Sequence, residues 1–331
     1  MIGAAKDGVE VSITGLGAKV PDRVVTNDEL ATYVDTSDEW IQERTGIRER
    51  RIADKSEALS DLALPASRDA LAQAGLEGKE IDLLIVATVT PDMSFPSTAA
   101  IMADELGAID AAAYDLSAGC TGFMYALAQG YGMLAAGLAK RALIVGGDVL
   151  SRILDWGDRS TLVLFGDGAG AVVLEVVPDK GFYGFELGAD GAGGRNLWLP
   201  GSGSRLFDEP ERYVKMNGPE VFKFATRILV QSAHDLLQKC GVSIDEVDVY
   251  VPHQANRRII DHATRKLGVP SDRVVINVDR FGNTSSGSIP LALADAAADG
   301  RLEPGKLVLM TGMGAGLTWG SALIRWTAEA V

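Results

Sequence analysis

The chain has 331 residues, of which 47% are hydrophobic and 23% charged, the profile of a folded protein with a sizeable core and not of a disordered one. Its 31 Lys+Arg against 45 Asp+Glu leave a net charge of −14, which disfavours nucleic-acid backbones unless the basic residues cluster locally. Two cysteines and three histidines, with no CxxC or HxxxH spacing, exclude a disulfide framework and give no support for a bound metal.

The first residues, MIGAAKDGVEVSITGLG, carry Lys6, Asp7 and Glu10 ahead of any apolar run, so no signal peptide is expected and the cytosol is the default compartment. Residues 57 to 75 have the period of an amphipathic helix ending at a glycine, and 82 to 89 (DLLIVATV) read as a strand covered on both faces. A loop with Pro91 and Pro96, a short helix ending at Leu106-Gly107 and a strand leading to Cys120 follow. No charged residue occurs between Asp115 and Lys140, which is long enough for a membrane span. Its glycines and Ser117, Thr121 and Gln129 instead predict a helix packed tightly at the centre of the protein, so no membrane association is expected. The strand ALIVGGD at 142 to 148 completes an alternation of helix and strand, the pattern of an α/β fold with mostly parallel sheets.

A Gly-rich stretch from about 181 to 218 has no clean period and reads as an insertion carrying surface loops. Beyond it the same grammar returns: a helix at 219 to 239, the strand VDVYVP, a helix ending at Leu267-Gly268, a strand VVINV at 274 to 278, a small-residue helix and the strand LVLMTG at 307 to 312. Asp82 to Cys120 is 38 residues and Asp248 to Asn283 is 35, a spacing that predicts a duplicated unit of about 150 residues. The expected division is 1–180, with the first half's chemistry at Cys120, and 181–331, with His253 and Asn283.

Those three residues fall at predicted strand ends, where α/β sheets place their sites. Cys120 sits at a strand-to-helix turn among small residues; the helix N-terminus predicts a lowered thiol pKa and a nucleophile. His253 lies between a strand end and a helix start, and Asn283 in a Gly-rich turn, where an amide is either a turn former or a donor. Cys240, at a helix C-terminus, reads as structural, and His234 and His262 as surface or packing residues. Arg44, Arg48, Arg50 and Arg51 pass on sequence alone for a solvated basic face.

DLSAGCTGF, VPHQAN and FGNTSSGSIPLAL, in this order, with GLTWGSALIR near the C-terminus, closely resemble the β-ketoacyl-acyl-carrier-protein synthase III family, the initiating condensing enzymes of type II fatty acid synthesis. The resemblance runs from TSDEWIQERTGIRERR to the last strand. It implies a thiolase-like fold, with duplicated halves layered as two mixed sheets around buried central helices. It implies that Cys120 takes an acyl group from acyl-CoA and that His253 and Asn283 donate hydrogen bonds to the thioester carbonyl of malonyl-acyl carrier protein. Backbone N–H groups of Cys120 and Ala315 would form the oxyanion hole, Ala315 standing where family members often have Gly. Trp40 and Arg159 match residues that sandwich the CoA adenine, Arg44 a nucleotide contact and Asn256 a pantetheine contact. Phe95 matches the residue that crosses a homodimer interface to bound the partner's acyl pocket. No cofactor is implied beyond the CoA thioester substrate. Arg257, Arg258, Arg265 and Lys266 form a local basic cluster on the helix after His253, where an acidic carrier protein would dock. A starter-unit ketosynthase or acyltransferase of polyketide metabolism shares the same three residues and stays open at this stage; a thiolase lacks support because its second cysteine is missing from TGMGAGLTWG.

Overall fold

The computed structural model describes residues 9–178, 181–201, 203–206 and 211–329. Strands β1 (Glu10–Lys19), β2 (Leu83–Ala87), β3 (Ala112–Leu116), β4 (Arg141–Asp148) and β5 (Gly168–Val177) form one sheet in the spatial order β1-β5-β4-β2-β3. The β1–β5 and β5–β4 pairs are antiparallel, and β4–β2 and β2–β3 are parallel. Strands β6 (Phe182–Ala189), β7 (Val249–Pro252), β8 (Leu307–Gly314) and β9 (Thr318–Arg325) form a second sheet in the order β6-β9-β8-β7. Its pairs run antiparallel, antiparallel and parallel, and a lone parallel bridge from Tyr250 to Val274 lies beyond β7. The two sheets therefore share one order and one set of strand directions, with the fifth position of the second reduced to that bridge.

Among the described residues the helices of eight residues or more are α1 (Asp38–Thr45), α2 (Leu59–Ala74), α3 (Thr98–Leu106), α4 (Gly122–Ala135), α5 (Gly218–Cys240), α6 (Arg257–Leu267) and α7 (Ser288–Ala298). Alternation along β2 shows how they layer. Leu83, Ile85 and Ala87 join a core that contains Phe123, Met124 and Leu127 of α4 and Ile289, Ala292 and Leu293 of α7. Leu84 and Val86 point the other way, into a core built with Leu62, Ala66 and Ala70 of α2 and Met102 of α3. In the second sheet Val249 and Val251 face the central helices while Tyr250 faces Leu236 and Leu237 of α5 and Ile260 of α6. The result is five layers: helices, sheet, α4 and α7, sheet, helices. At roughly 1.5–3 kcal/mol for each buried Leu, Ile or Phe, the central layer is a major source of stability, and both sheets share it.

The uncharged stretch is the central helix α4, 14 residues long. Small residues let it lie close to β4: a Cβ on Gly130 would stand 2.7 Å from Ile144 Cδ1. Among the described residues no helix is long and apolar enough to cross a membrane.

Three expectations need correction. The sheets are mixed and not mostly parallel: among the described residues four of the seven strand pairs in the two sheets are antiparallel. The strand at 274 to 278 does not form. After Val275 donates to Tyr250 O (2.9 Å), the next backbone donors are taken by a side chain, since Gln254 Oε1 accepts from Asn277 N (2.9 Å) and Val278 N (3.2 Å), and the chain turns into a short helix, Val278–Phe281. The stretch 181–218 is not all loop. Phe182–Ala189 is an edge strand whose period is hidden by Gly184 and Gly188, and its Phe182 and Phe185 rings lie 5.2 Å apart, each also packed against Tyr131.

Candidate active site

Cys120 occupies a single 3₁₀ turn, Gly119–Thr121, between β3 and α4. The turn is locked against the loop after β8. Gly119 adopts φ +56°, where a side chain would be strained and its Cβ would meet Ala315 N at 2.9 Å; a Cβ on Gly314 would meet Cys120 N at 2.6 Å. The backbone amides of Cys120 and Ala315 and the Ser285 side chain are near enough to the sulfur to stabilise its anion. These contacts favour the thiolate, but burial outweighs them and, with the charge of Asp148, pushes the thiol up to about 11. The lowered pKa expected from the helix N-terminus is thereby corrected: Cys120 lies ahead of α4 in a dry turn, and desolvation of the sulfur dominates. With Cys240 replaced by Ser, iodoacetamide alkylation of Cys120 is expected to accelerate about tenfold per pH unit from about pH 7, following the thiolate fraction, and to level off only near pH 11. A plateau below about pH 8 would contradict the burial argument.

His253 follows β7, its N–H bonded to Thr311 O of the parallel neighbour β8 (2.8 Å). The residue is 1% exposed, neither ring nitrogen has a partner, and burial lowers its pKa to about 4. It is neutral at physiological pH, with an N–H and a lone pair both available. A buried unpaired polar group costs about 1–3 kcal/mol, a cost that a bound ligand would offset.

Asn283 is held by backbone from the other half of the chain: it donates to Leu164 O (2.8 Å), and Gly166 N donates to its carbonyl (3.0 Å). Its Oδ1 accepts from Ser285 N (2.9 Å), which leaves the amide NH2 as its free donor. Ser285 has φ +52°, rare for a residue with a side chain, and this bend brings its side chain to the Cys120 sulfur.

Cys120, His253 and Asn283 line one cavity of about 150 Å³. Its remaining wall is mostly apolar and includes Leu197, Met216, Phe222, Ile259 and Met313, with Asn256 among the few polar members. Sequence reading did not find Ser285, Phe222 or Met216. Nothing in TSSG announces a positive φ, and Phe222 belongs to the apolar face of a long amphipathic helix.

The profile described as 3-oxoacyl-[acyl-carrier-protein] synthase III matches residues 114–191, and that of its C-terminal part matches 237–326. β-Ketoacyl-[acyl-carrier-protein] synthase III of Symbiobacterium thermophilum is 52% identical over 323 residues, 96% of this chain and 98% of that one. The chain belongs to the β-ketoacyl-acyl-carrier-protein synthase III family. The crystal structure of the Thermus thermophilus synthase III, at 48% identity, superposes with a TM-score of 0.91 over 96% of this chain and all of the other. A priming β-ketosynthase from a polyketide biosynthetic pathway is 36% identical, with a TM-score of 0.92 over 98% of this chain and 99% of that one. The fold is thus the thiolase-like one of synthase III enzymes.

The other residues matched to synthase III enzymes lie on two surfaces. Trp40 projects from α1 with the Arg159 guanidinium 4.8 Å above its ring and that of Arg44 5.9 Å away; Arg159 also donates to Asp35 O (2.8 Å). The pair is closed on itself, and an adenine between the two requires the exposed Arg159 to swing out. Arg50 does not belong to a solvated basic face: it is 0% exposed and donates to Val25 O, Asn27 Oδ1 and Val163 O, and burial lowers its pKa to about 10. Arg44 and Arg48 are exposed.

Asn256 caps α6, accepting from Arg258 N (2.8 Å), and donates to Arg44 O (3.2 Å), so it joins the cavity to α1. Arg258 stacks on Phe222 at 5.5 Å and, with His262 and Arg265, lines an open groove that shares Phe222 with the Cys120 cavity. Arg257 is paired at 2.7 Å with Asp261, which also lines that groove, and Lys266 is exposed. Phe95 stands 85% exposed on its loop and is not among the residues lining this chain's cavity.

Proposed function

We propose that this protein condenses an acyl-CoA primer with malonyl-acyl carrier protein, giving a 3-oxoacyl-acyl carrier protein, CoA and CO2, and so initiates type II fatty acid synthesis in the cytosol. The observation that carries the reading is the cavity in which a buried thiol, an unpartnered neutral imidazole and a free amide donor meet, in a chain about half identical to named synthase III enzymes. Cys120 attacks the acyl-CoA carbonyl; the tetrahedral oxyanion is held by the N–H groups of Cys120 and Ala315, and collapse expels CoA and leaves an acyl thioester on the sulfur. An alanine at 315 keeps the amide donor that the step requires.

His253 and Asn283 then donate to the thioester carbonyl of the malonyl group. As CO2 leaves, negative charge grows on that oxygen, and two fixed donors in a water-poor cavity stabilise it most when it is largest. Neutral donors suit the step because an imidazolium would protonate the carbanion. The low pKa of His253 supports neutrality well below pH 7. The carbanion attacks the Cys120 thioester carbonyl, and the regenerated thiolate takes up a proton. No cofactor enters beyond the CoA thioester itself. Acyl-CoA-dependent release of labelled CO2 from malonyl-carrier protein tests the reading; acylation without CO2 release favours transfer to another acceptor.

The CoA nucleotide is assigned to Trp40, Arg159 and Arg44, the pantetheine to Asn256, and the carrier protein to Arg257, Arg258, Arg265 and Lys266. Support comes from the shared Phe222 wall, which places the Arg258 groove against the cavity. Arg258→Glu is expected to raise KM for malonyl-carrier protein about tenfold at low salt, and KM for acyl-CoA less than twofold, as for a steering charge; equal KM values for the carrier protein in mutant and wild type would remove Arg258 from the docking surface.

A homodimer belongs to the same reading. Phe95 and Ile109, 85% and 83% exposed, lie on loops on either side of α3, Ile109 in the short loop that leads into the edge strand β3. The two halves, 1–180 with the nucleophile and 181–331 with His253 and Asn283, are read as copies of one unit, supported by the common strand order of the two sheets.

A further inference from the structure

Asp148 ends β4, is fully buried and is not among the residues lining the catalytic cavity. Its Oδ1 accepts from Thr88 Oγ1 (2.9 Å), Val89 N (2.8 Å), Thr90 N (3.1 Å) and Thr90 Oγ1 (2.8 Å). Its Oδ2 accepts from Ser286 Oγ (2.7 Å) and Ser286 N (3.3 Å). All six donors are neutral. A carboxylate buried without a cationic partner is costly, and the six donors offset that cost only while both of its oxygens accept. The carboxylate joins two loops from opposite halves of the chain: 88–90 after β2, and the turn that begins at Asn283. That turn has little slack, because a Cβ on Gly146 of β4 would stand 2.3 Å from Ser286 O.

The residues next to Ser286 make the clamp consequential. Asn283 Oδ1 accepts from Ser285 N, the Ser285 side chain is near enough to the Cys120 sulfur to favour its anion, and Ser286 packs on the start of α4, where a Cβ on Gly122 would stand 3.5 Å from Ser286 Cβ. We propose that Asp148 is a positioning residue that, through Ser286, holds the Asn283–Ser285 turn against Cys120, so that the sulfur and the amide donor keep one relative placement through acylation and condensation. The second half of that role rests on the condensing reaction proposed above. The same charge also bears on the thiol, which Asp148 pushes up while Ser285 pulls it down.

Two variants test this in opposite directions. In Asp148→Asn, an Nδ2 donor can face Ser286 Oγ while the serine hydroxyl turns its proton to Ala87 O, 2.9 Å away, so every bond but the long one from Ser286 N (3.3 Å) is refilled and the charge is gone. Cys120 alkylation is expected to shift to lower pH. Ser286→Ala frees the turn and leaves all four Oδ1 bonds intact. Alkylation is then expected to shift to higher pH, and kcat for condensation to fall by about tenfold to a hundredfold with KM for malonyl-carrier protein within about twofold, the mark of a misplaced reacting group. Melting temperatures identify folded variants, and Ser286→Ala decides alone if Asp148→Asn does not fold. Folded variants with the wild-type alkylation profile and wild-type kcat would overturn the proposal. If the wild-type protein itself does not condense, the proposed function fails, and the alkylation shifts still decide whether Asp148 governs Cys120.

Discussion

After incubation with an acyl-CoA, the intact mass of the protein is expected to rise by one acyl group, and that of Cys120→Ala not to rise at all. The chain offers two thiols, and their surroundings separate them. Cys120 lies in a cavity large enough for a short acyl group, with two backbone amides and a serine side chain at its sulfur. Cys240 ends α5 beside the negative end of the helix and next to Gly241. An unsubstituted thiol has a small thiolate fraction at neutral pH, so acylation depends on the cavity: the acyl carbonyl must be held at the sulfur while its oxygen meets the amides of Cys120 and Ala315. Acylation of Cys120→Ala at the wild-type level would move the nucleophile elsewhere. A mixed panel of acyl-CoAs in the same measurement reports which primer the wall of Leu197, Met216 and Phe222 accepts.

His253→Ala and Asn283→Ala are expected to keep self-acylation within a few-fold and to lose condensation by about 100-fold to 1000-fold each, the usual cost of deleting one preorganised donor to a developing oxyanion. In the mechanism proposed above the two half-reactions use different oxyanion sites. Acylation places charge near the amides of Cys120 and Ala315; decarboxylation places it between the imidazole and the Asn283 amide. Losses should be less than additive in the double variant, because the two donors serve one oxygen. Equal loss of acylation and condensation in either single variant would contradict this division.

Much of this was legible in the residues because strand ends in an α/β chain are where chemistry collects. The alternation of elements, the uncharged central helix and the spacing of Cys120, His253 and Asn283 are properties of local pattern. Several features were not legible, each for a physical reason. Arg50 reads like its exposed neighbours, and only the approach of Val163 from more than 100 residues away buries it. The strand expected at 274 was displaced by a competitor for its hydrogen bonds, the Gln254 side chain, whose reach no periodicity encodes. The thiol pKa was misread in sign because position next to a helix start is a sequence property, whereas desolvation depends on everything that packs around the sulfur.

The parallel bridge between Phe165 and Asn283 joins the two ends of the catalytic question. An amide from the second half is set in place by main chain of the first, so its position exists only once both halves have folded and met. Loss of CO2 from a malonyl thioester is irreversible and is wasted if no acyl group waits on the sulfur. Under the mechanism proposed above, a decarboxylating site assembled by the meeting of the two halves cannot be formed by a half-folded chain, so an incompletely folded protein does not consume the malonyl thioester.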